Sequence, residues 1–294
     1  MPYISVIIPT TRIGGLDVLF SGLENQTFKD FELILVDTLY ENRKDLVLEK
    51  SKNYSFNVKH LQQRSTAIHY CETMNKAFIE ADGKIIYTMC DHTWLEKDCL
   101  KYHAEFHKNK TEKFALIGHF TDCELPKLHK DFYRSYAPNI PYYREDPNNQ
   151  YMIKERECYN NYIEDINSGK LNNMMWSIYE TPFTTSTDPN SFKETLPKEI
   201  LPTGVIDSSH FFLKNESYEF EDIISINGFN EVLDGAHGWQ DWDFADRLTT
   251  LTKTKIYNNS NIKTFTMNPR KILYARLRET DMFKNEGIWE ENKK

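Results

Sequence analysis

The hydrophobic positions of this chain fall into short runs that switch between a strand-like and a helical period. Residues 4–9 form a β-branched run stopped by Pro9, which predicts a buried strand. Thr10 to Gly15 reads as a loop, after which Leu16, Leu19, Phe20 and Leu23 recur at helical spacing. Residues 31–37 form a second strand-like run with an acid, Asp37, at its C-terminal end. Strand, helix, strand in this order predicts a parallel βαβ unit with a right-handed crossover. Ligands bind such sheets beyond the C-terminal ends of the strands. Topology alone therefore sets Pro9, Thr10, Arg12 and Asp37 on the functional edge.

The same reading extends along the chain. A strand is expected over residues 57–61, and a helix over 64–81 with Ile68, Cys71, Met74, Phe78 and Ala81 facing inward. Residues 84–90 predict the next strand, followed directly by Asp91-His92-Thr93. His103 and His107 stand four apart on the next helix, a spacing able to bind metal. No acid completes a known motif there, so they are read as a solvated face. A strand is expected at 115–120. From 122 to 202 the periodicity weakens and Asn, Tyr, Pro, Glu and Lys dominate. Long irregular segments are usually functional or disordered, and this one is read as an insertion around a cleft, with a short acidic helix over 154–166. Met174, Met175 and Trp176 fit the core better than the cleft. Strands are expected at 208–214, 255–257 and 262–267, and a helical tail at 271–294.

Residues 225–248 hold the most informative stretch. Asn227-Gly228-Phe229-Asn230-Glu231 reads as a turn, and Gly235 and Gly238 then break the chain twice. Trp239-Gln240-Asp241-Trp242-Asp243-Phe244 follows, with Ala245, Leu248 and Leu251 at helical spacing. Asp241 and Asp243 thus fall in the first turn of a helix, where the helix dipole favours carboxylates. An isolated Asp-x-Asp there usually does no more than cap a helix.

The full string resembles the acceptor-side segment of inverting glycosyltransferases of family 2, which have the GT-A fold, and the related galactosyltransferase-type C-terminal region. Gly228-Phe229-Asn230-Glu231, Gly238, Asp241-x-Asp243 and Arg247-Leu248 match; Gln240 stands where the family has Glu. Val6-Ile7-Ile8-Pro9-Thr10, Gln26-Thr27-Phe28 and Val36-Asp37 match its N-terminal pattern. The resemblance implies that Asp241 is a general base and that Pro9, Thr10 and Arg12 hold the nucleotide. It implies that Asp37 accepts a hydrogen bond from a uracil imide, and that Asn75, in Thr73-Met74-Asn75-Lys76-Ala77, lies at the donor site. Trp239, Gln240 and Asp243 would meet the acceptor. In the family, the strand before the donor site ends in Asp-x-Asp, which helps hold a divalent cation, Mn²⁺ or Mg²⁺, against the diphosphate. Here that place reads Cys90-Asp91-His92, or Asp91-His92-Thr93 after a one-residue slip, neither with two acids, and Asp91 and His92 are the expected metal and diphosphate residues. A C-terminal histidine common in the family is lacking from residues 262–267.

Composition narrows the partners. The formal charge of -8 and the lack of a basic block argue against a protein built on the nucleic-acid backbone. Five cysteines without a Cys-x-x-Cys pair argue against a disulfide framework or structural zinc and fit a reducing compartment. No apolar run approaches the roughly 20 residues needed to span a bilayer, so a cytoplasmic protein is expected, with peripheral membrane contact left open. The expectation is one α/β domain of GT-A fold over 1–294, its central sheet mainly parallel. It divides into a nucleotide-sugar half (1–120), an insertion (121–204), an acceptor half (205–270) and the tail (271–294). The expected activity is transfer from a nucleotide-sugar, UDP-linked by preference, to a hydroxyl acceptor such as a glycan. A non-catalytic nucleotide-sugar or glycan-binding module on the same scaffold, or a sugar-phosphate nucleotidyltransferase, are the alternatives. The sequence does not fix the oligomeric state.

Overall fold

Four parallel strands carry the N-terminal half. The computed structural model describes residues 1–63, 70–124, 126–130, 132, 162–194, 200–211, 213–234 and 239–267. Strands β1 (Ile4–Thr10), β2 (Phe31–Asp37), β3 (Asn57–Gln62) and β4 (Ile85–Met89) pair in the order β3-β2-β1-β4. Helices α1 (Leu16–Glu24), α2 (Tyr40–Ser51) and α3 (Tyr70–Ile79) make the crossovers. The alternation along β1 shows why it is buried on both faces. Ile4, Val6 and Ile8 pack with Leu16, Leu19 and Phe20 of α1, while Ile7 packs with Met74 and Phe78 of α3. The parallel register sets Thr10 beside Asp37 at the strand ends.

The second half extends the sheet with mixed pairing. It adds β5 (Thr93–Leu95), α4 (Cys99–Lys108), β6 (Phe114–Asp122), β7 (Gly204–Ile206), β8 (Asn215–Glu219), α5 (Phe220–Ser225), α6 (Trp239–Thr252) and β9 (Lys255–Thr266). Among the described residues the order is β3-β2-β1-β4-β8-β6-β9-β5, with β7 on β9. Strand β8 enters antiparallel between β4 and β6, so its start lies beside the end of β4, with Asn215 opposite Met89. Phe244, Ala245 and Leu248 of α6 share the α3 side of the core.

Several expectations need correction. The strand expected at 208–214 begins only at Asn215, and Ser208–His210 is a 3₁₀ turn. β8 reads Asn-Glu-Ser-Tyr-Glu, which carries no apolar pattern, yet its first four residues are buried. Asn215 and Ser217 of this strand are bound by side chains of α4 and β4. His103 meets Ser217 Oγ at 2.7 Å and Asn215 Oδ1 at 3.1 Å, His107 meets Ser217 Oγ at 2.8 Å, and Tyr87 donates to Asn215 Oδ1 at 2.9 Å. The two histidines are therefore buried partners of the sheet and not a solvated face. The two short strands expected after α6 are one strand, β9, whose register against β6 shifts at Gly118/His119. α2 and β5 were not expected; α2 buries only Arg43 and Val47, too few apolar positions to show a period.

Part of the described insertion joins the core. Met174, Met175 and Ile178 pack with Ile13, Val18 and Trp94. The amides of Gly14, Leu16 and Asp17 donate to the carbonyls of Met175 and Trp176, so this segment clamps the loop that opens α1. Residues 162–167 are helical; the rest of the helix expected at 154–166, the Gly235–Gly238 loop and the 271–294 tail lie outside the described residues. Among the described residues no helix is long and apolar enough to cross a membrane.

Burial lowers the pKa of His103 to about 3 and of His107 to about 4. The unfolded chain then binds more protons below the ordinary histidine pKa of 6.5, so stability falls as pH drops from there toward 4. Thermal unfolding across that range should show the fall, and His107→Gln should make it shallower.

Candidate active site at the strand ends

Three strand ends and the loop after β1 converge on one edge of the sheet. Asp37, at the end of β2, is wholly buried and accepts four hydrogen bonds. Arg43 Nη2 and the Leu39 amide reach Oδ1, both at 2.7 Å. Arg43 Nε at 2.5 Å and His60 Nε2 at 2.9 Å reach Oδ2. Arg43 also donates to the Arg12 carbonyl at 2.9 Å and to Thr10 Oγ1 at 3.3 Å, so one guanidinium ties β2 to the loop after β1. Burial alone would raise the Asp37 pKa, but Arg43 and His60 outweigh it and hold the carboxyl below its ordinary value. Each Asp37 oxygen already accepts two bonds, so the carboxylate is committed to holding Arg43 and the strand ends.

Asp91 follows β4 on the same edge. It accepts from Thr10 Oγ1 at 2.9 Å, and Arg12 grips it through Nε and Nη2, one to each oxygen. Burial would raise its pKa; Arg12, His92 and Thr10 overcome this and hold it well below the usual carboxylate range. The His92 ring is enclosed against Gly15, whose φ of +74 and lack of a side chain make room for it. A Cβ at Gly15 would lie 2.3 Å from the ring. The Met267 amide donates to the His92 carbonyl at 2.8 Å.

Among the described residues, those at the end of β4 do not fit a divalent cation. Mg²⁺ or Mn²⁺ asks for several oxygen ligands. Here the single acid, Asp91, is 5% exposed and bridged on both oxygens, and its neighbour His92 is fully buried. Among the described residues no three His, Cys, Asp or Glu side chains come together as a metal set.

The turn before α6 is built by side chains. Gly228 has a φ of +64 and packs on Asn75, where a Cβ would meet Oδ1 at 2.4 Å. Asn75 accepts from the Phe229 amide at 2.7 Å and donates to the Phe229 carbonyl at 2.9 Å and to Glu231 Oε1 at 2.8 Å. Asp243 pairs with Arg247 at 2.6 Å, and Arg247 donates to the carbonyls of Ile226 and Gly228, both at 2.7 Å. Asp234 caps the amides of Cys71 and Glu72 at 2.7 and 3.1 Å. Asn75 and Asp243, expected at donor and acceptor, thus shape the approach to α6.

Asp241 lies in the first turn of α6, half-buried, on the side of the helix that carries Ala245 and Leu248 inward. Burial pushes its pKa up to about 7, against the opposing charge of Lys214. Its charge reaches the Tyr70 and Tyr218 phenols, and Tyr70 also feels Cys90 at the end of β4. Lys214 directly precedes β8, whose start lies opposite the end of β4, so this charge network links the first turn of α6 to the strand end that Asp91 follows. Gln240 is buried. Trp239 and Trp242, 63% and 54% exposed, contact edge to face at 6.0 Å on the outer side of α6. With Asp207, Ser209 and Asp246 they line a cavity of about 470 Å³. Arg43, His60 and Lys214 were not expected. Arg43 sits in a polar helix six residues past Asp37, and only the tertiary pairing marks it.

Residues 5–171 match the family description "Glycosyl transferase family 2", which covers more than half of the chain. The chain belongs to glycosyl transferase family 2. Its fold is similar to S. aureus TarS 1–349 in complex with UDP, with a TM-score of 0.56 and 14% identity over 95% of this chain and 64% of that one. It is likewise similar to the same protein in complex with UDP-GlcNAc, with a TM-score of 0.53 and 13% identity over 91% of this chain and 59% of that one. The mannosyltransferase PcManGT from Pyrobaculum calidifontis, in complex with GDP-Man and Mn²⁺, gives a TM-score of 0.50 and 13% identity over 95% of this chain and 61% of that one. This chain spans less than two thirds of each of these relatives. No curated protein matches the sequence. These folds agree with the family on the GT-A architecture.

Removing Arg43 from this family 2 domain would leave Asp37 buried and uncompensated. Arg43→Met should cost about 3–5 kcal/mol of unfolding free energy in urea titration. The double variant Asp37→Leu/Arg43→Met should recover part of that loss.

Proposed function

We propose that this family 2 enzyme is an inverting transferase that moves a sugar from a UDP-sugar to a hydroxyl of a glycan-like acceptor, with Asp241 as general base. The observation that carries this is the half-buried Asp241 carboxyl on the strand-end edge, its pKa pushed to about 7. A base of that pKa is ionised enough to work near neutral pH and basic enough to take a hydroxyl proton in the transition state. UDP is preferred because TarS is similar in fold and two of its structures hold UDP or UDP-GlcNAc.

In this reading the nucleotide lies across Pro9, Thr10 and Arg12, beyond the ends of β1 and β2. Asp37 acts as a positioning residue: it fixes Arg43, which in turn fixes the Arg12 carbonyl and Thr10. The acceptor oxygen attacks the anomeric carbon from the face opposite the leaving diphosphate. Its proton passes to a carboxylate oxygen of Asp241. The bond to the diphosphate breaks, so configuration inverts. Exposed Trp239 and Trp242 offer apolar ring faces to remote sugars of the acceptor.

Asp241→Asn should lower turnover by about 10²–10⁴-fold while leaving UDP affinity unchanged. Near-normal turnover in that variant would refute the base assignment. In the wild type, kcat/KM should fall about tenfold per pH unit below the Asp241 pKa of about 7. A stability test uses the same group. Its pKa rises from 3.8 to about 7 on folding, so between those values the folded chain holds a proton that the unfolded chain has released. Stability therefore falls as pH rises through that window. Asp241→Asn should raise Tm above neutral pH and lose that gain in acid.

A further inference from the structure

We propose that Arg12, held by Asp91, supplies the positive charge facing the donor diphosphate, so that donor binding needs no divalent cation. This rests on the nucleotide-sugar reading above. The first support is what Asp91 is doing. A metal-binding carboxylate must present an oxygen to the ion, whereas both oxygens of Asp91 are engaged by Arg12, and Thr10 adds a third bond. A bidentate guanidinium–carboxylate pair is among the strong charge-assisted contacts, and its planar fork fixes direction as well as charge.

The second support is the place. Arg12 follows β1, on the edge beyond the C-terminal strand ends where ligands of such sheets bind. Its backbone is pinned from behind, because its carbonyl accepts from Arg43, itself locked to Asp37. The cation is thus preset before any donor arrives. The third support is electrostatic. A divalent ion on Asp91 would stand within a few ångströms of the Arg12 guanidinium in a buried setting, where like charges repel strongly. The neighbours give it little else: Cys90 precedes Asp91, the His92 ring is shut against Gly15, and Thr93 is fully buried. Asp91 occupies the Nε–Nη2 edge of the guanidinium, so what Arg12 offers a diphosphate is its permanent, delocalised positive charge and not that fork.

Calorimetric titration of UDP into the full chain, in EDTA and in MnCl₂, tests this. The expected result is equal affinity in both buffers and no heat when Mn²⁺ is titrated alone. Arg12→Gln should weaken UDP binding by about tenfold or more in EDTA and weaken uridine far less. Arg12→Lys should keep part of the affinity, and circular dichroism should show both variants folded. If Arg12→Gln fails to fold, Asp91→Asn decides. Metal-indifferent UDP binding in that variant supports the proposal. UDP binding by the wild type that appears only with Mn²⁺ and is lost in Asp91→Asn overturns it while leaving the nucleotide-sugar reading intact. Failure of the wild type to bind UDP or GDP in either buffer would overturn both.

Discussion

The strand-end edge depends on one desolvated ion pair, Asp37 with Arg43. Neither side chain is exposed, and the bonds that Arg43 makes join β2, α2 and the segment after β1. Asp37 ends β2; Arg43 comes from α2; the Arg12 carbonyl and Thr10 hydroxyl belong to the segment that leaves β1. Burying such a pair is costly, and apolar residues of similar volume often stabilise a fold more. What the pair adds is position. It fixes where the backbone of Arg12 runs, and Arg12 then meets Asp91 after β4.

The second half is brought to the same edge by β8. Because this strand runs antiparallel beside β4, its start, and Lys214 just before it, lie next to the end of β4. The chain then passes through α5 and the Asn75-bound turn and returns at the first turn of α6, which carries Asp241. Burying the polar strand requires partners, and His103, His107 and Tyr87 provide them. The insertion has a matching task on the other side, where Met175 and Trp176 carbonyls hold the start of α1. In the function proposed above, a pre-formed edge of this kind would let base and cation face one ligand without reorganisation at the moment of reaction.

Much of this was legible in the sequence, for definable reasons. β1, β2 and β4 are continuous apolar runs, α1 has a clean helical period, and the Gly228-to-Leu248 string carries a resemblance that pattern alone would not supply. The parts that escaped are those where polar residues are buried. β8 has no apolar alternation, since hydrogen bonds satisfy it where apolar packing would be expected. α2 hides its one structural charge, Arg43, among exposed ones. His103 and His107 have the spacing of a surface pair, and only the position of β8 turns them inward. Asp91 shows the same limit in the site itself: an acid after a strand looks like a ligand until its partners are known. Asn75 and Asp243 belong to the recognised motifs, and both hold the shape of the turn.

The central claim is that a carboxylate on this edge directs attack from the face opposite the leaving group. Stereochemistry reads that out directly. Proton NMR of the first sugar product released from an α-linked UDP-sugar, to acceptor or to water, reports the anomeric configuration before mutarotation blurs it. The account predicts the β anomer as the initial product. An initial α anomer would mean retention, and would contradict both the direct displacement and the role given to Asp241.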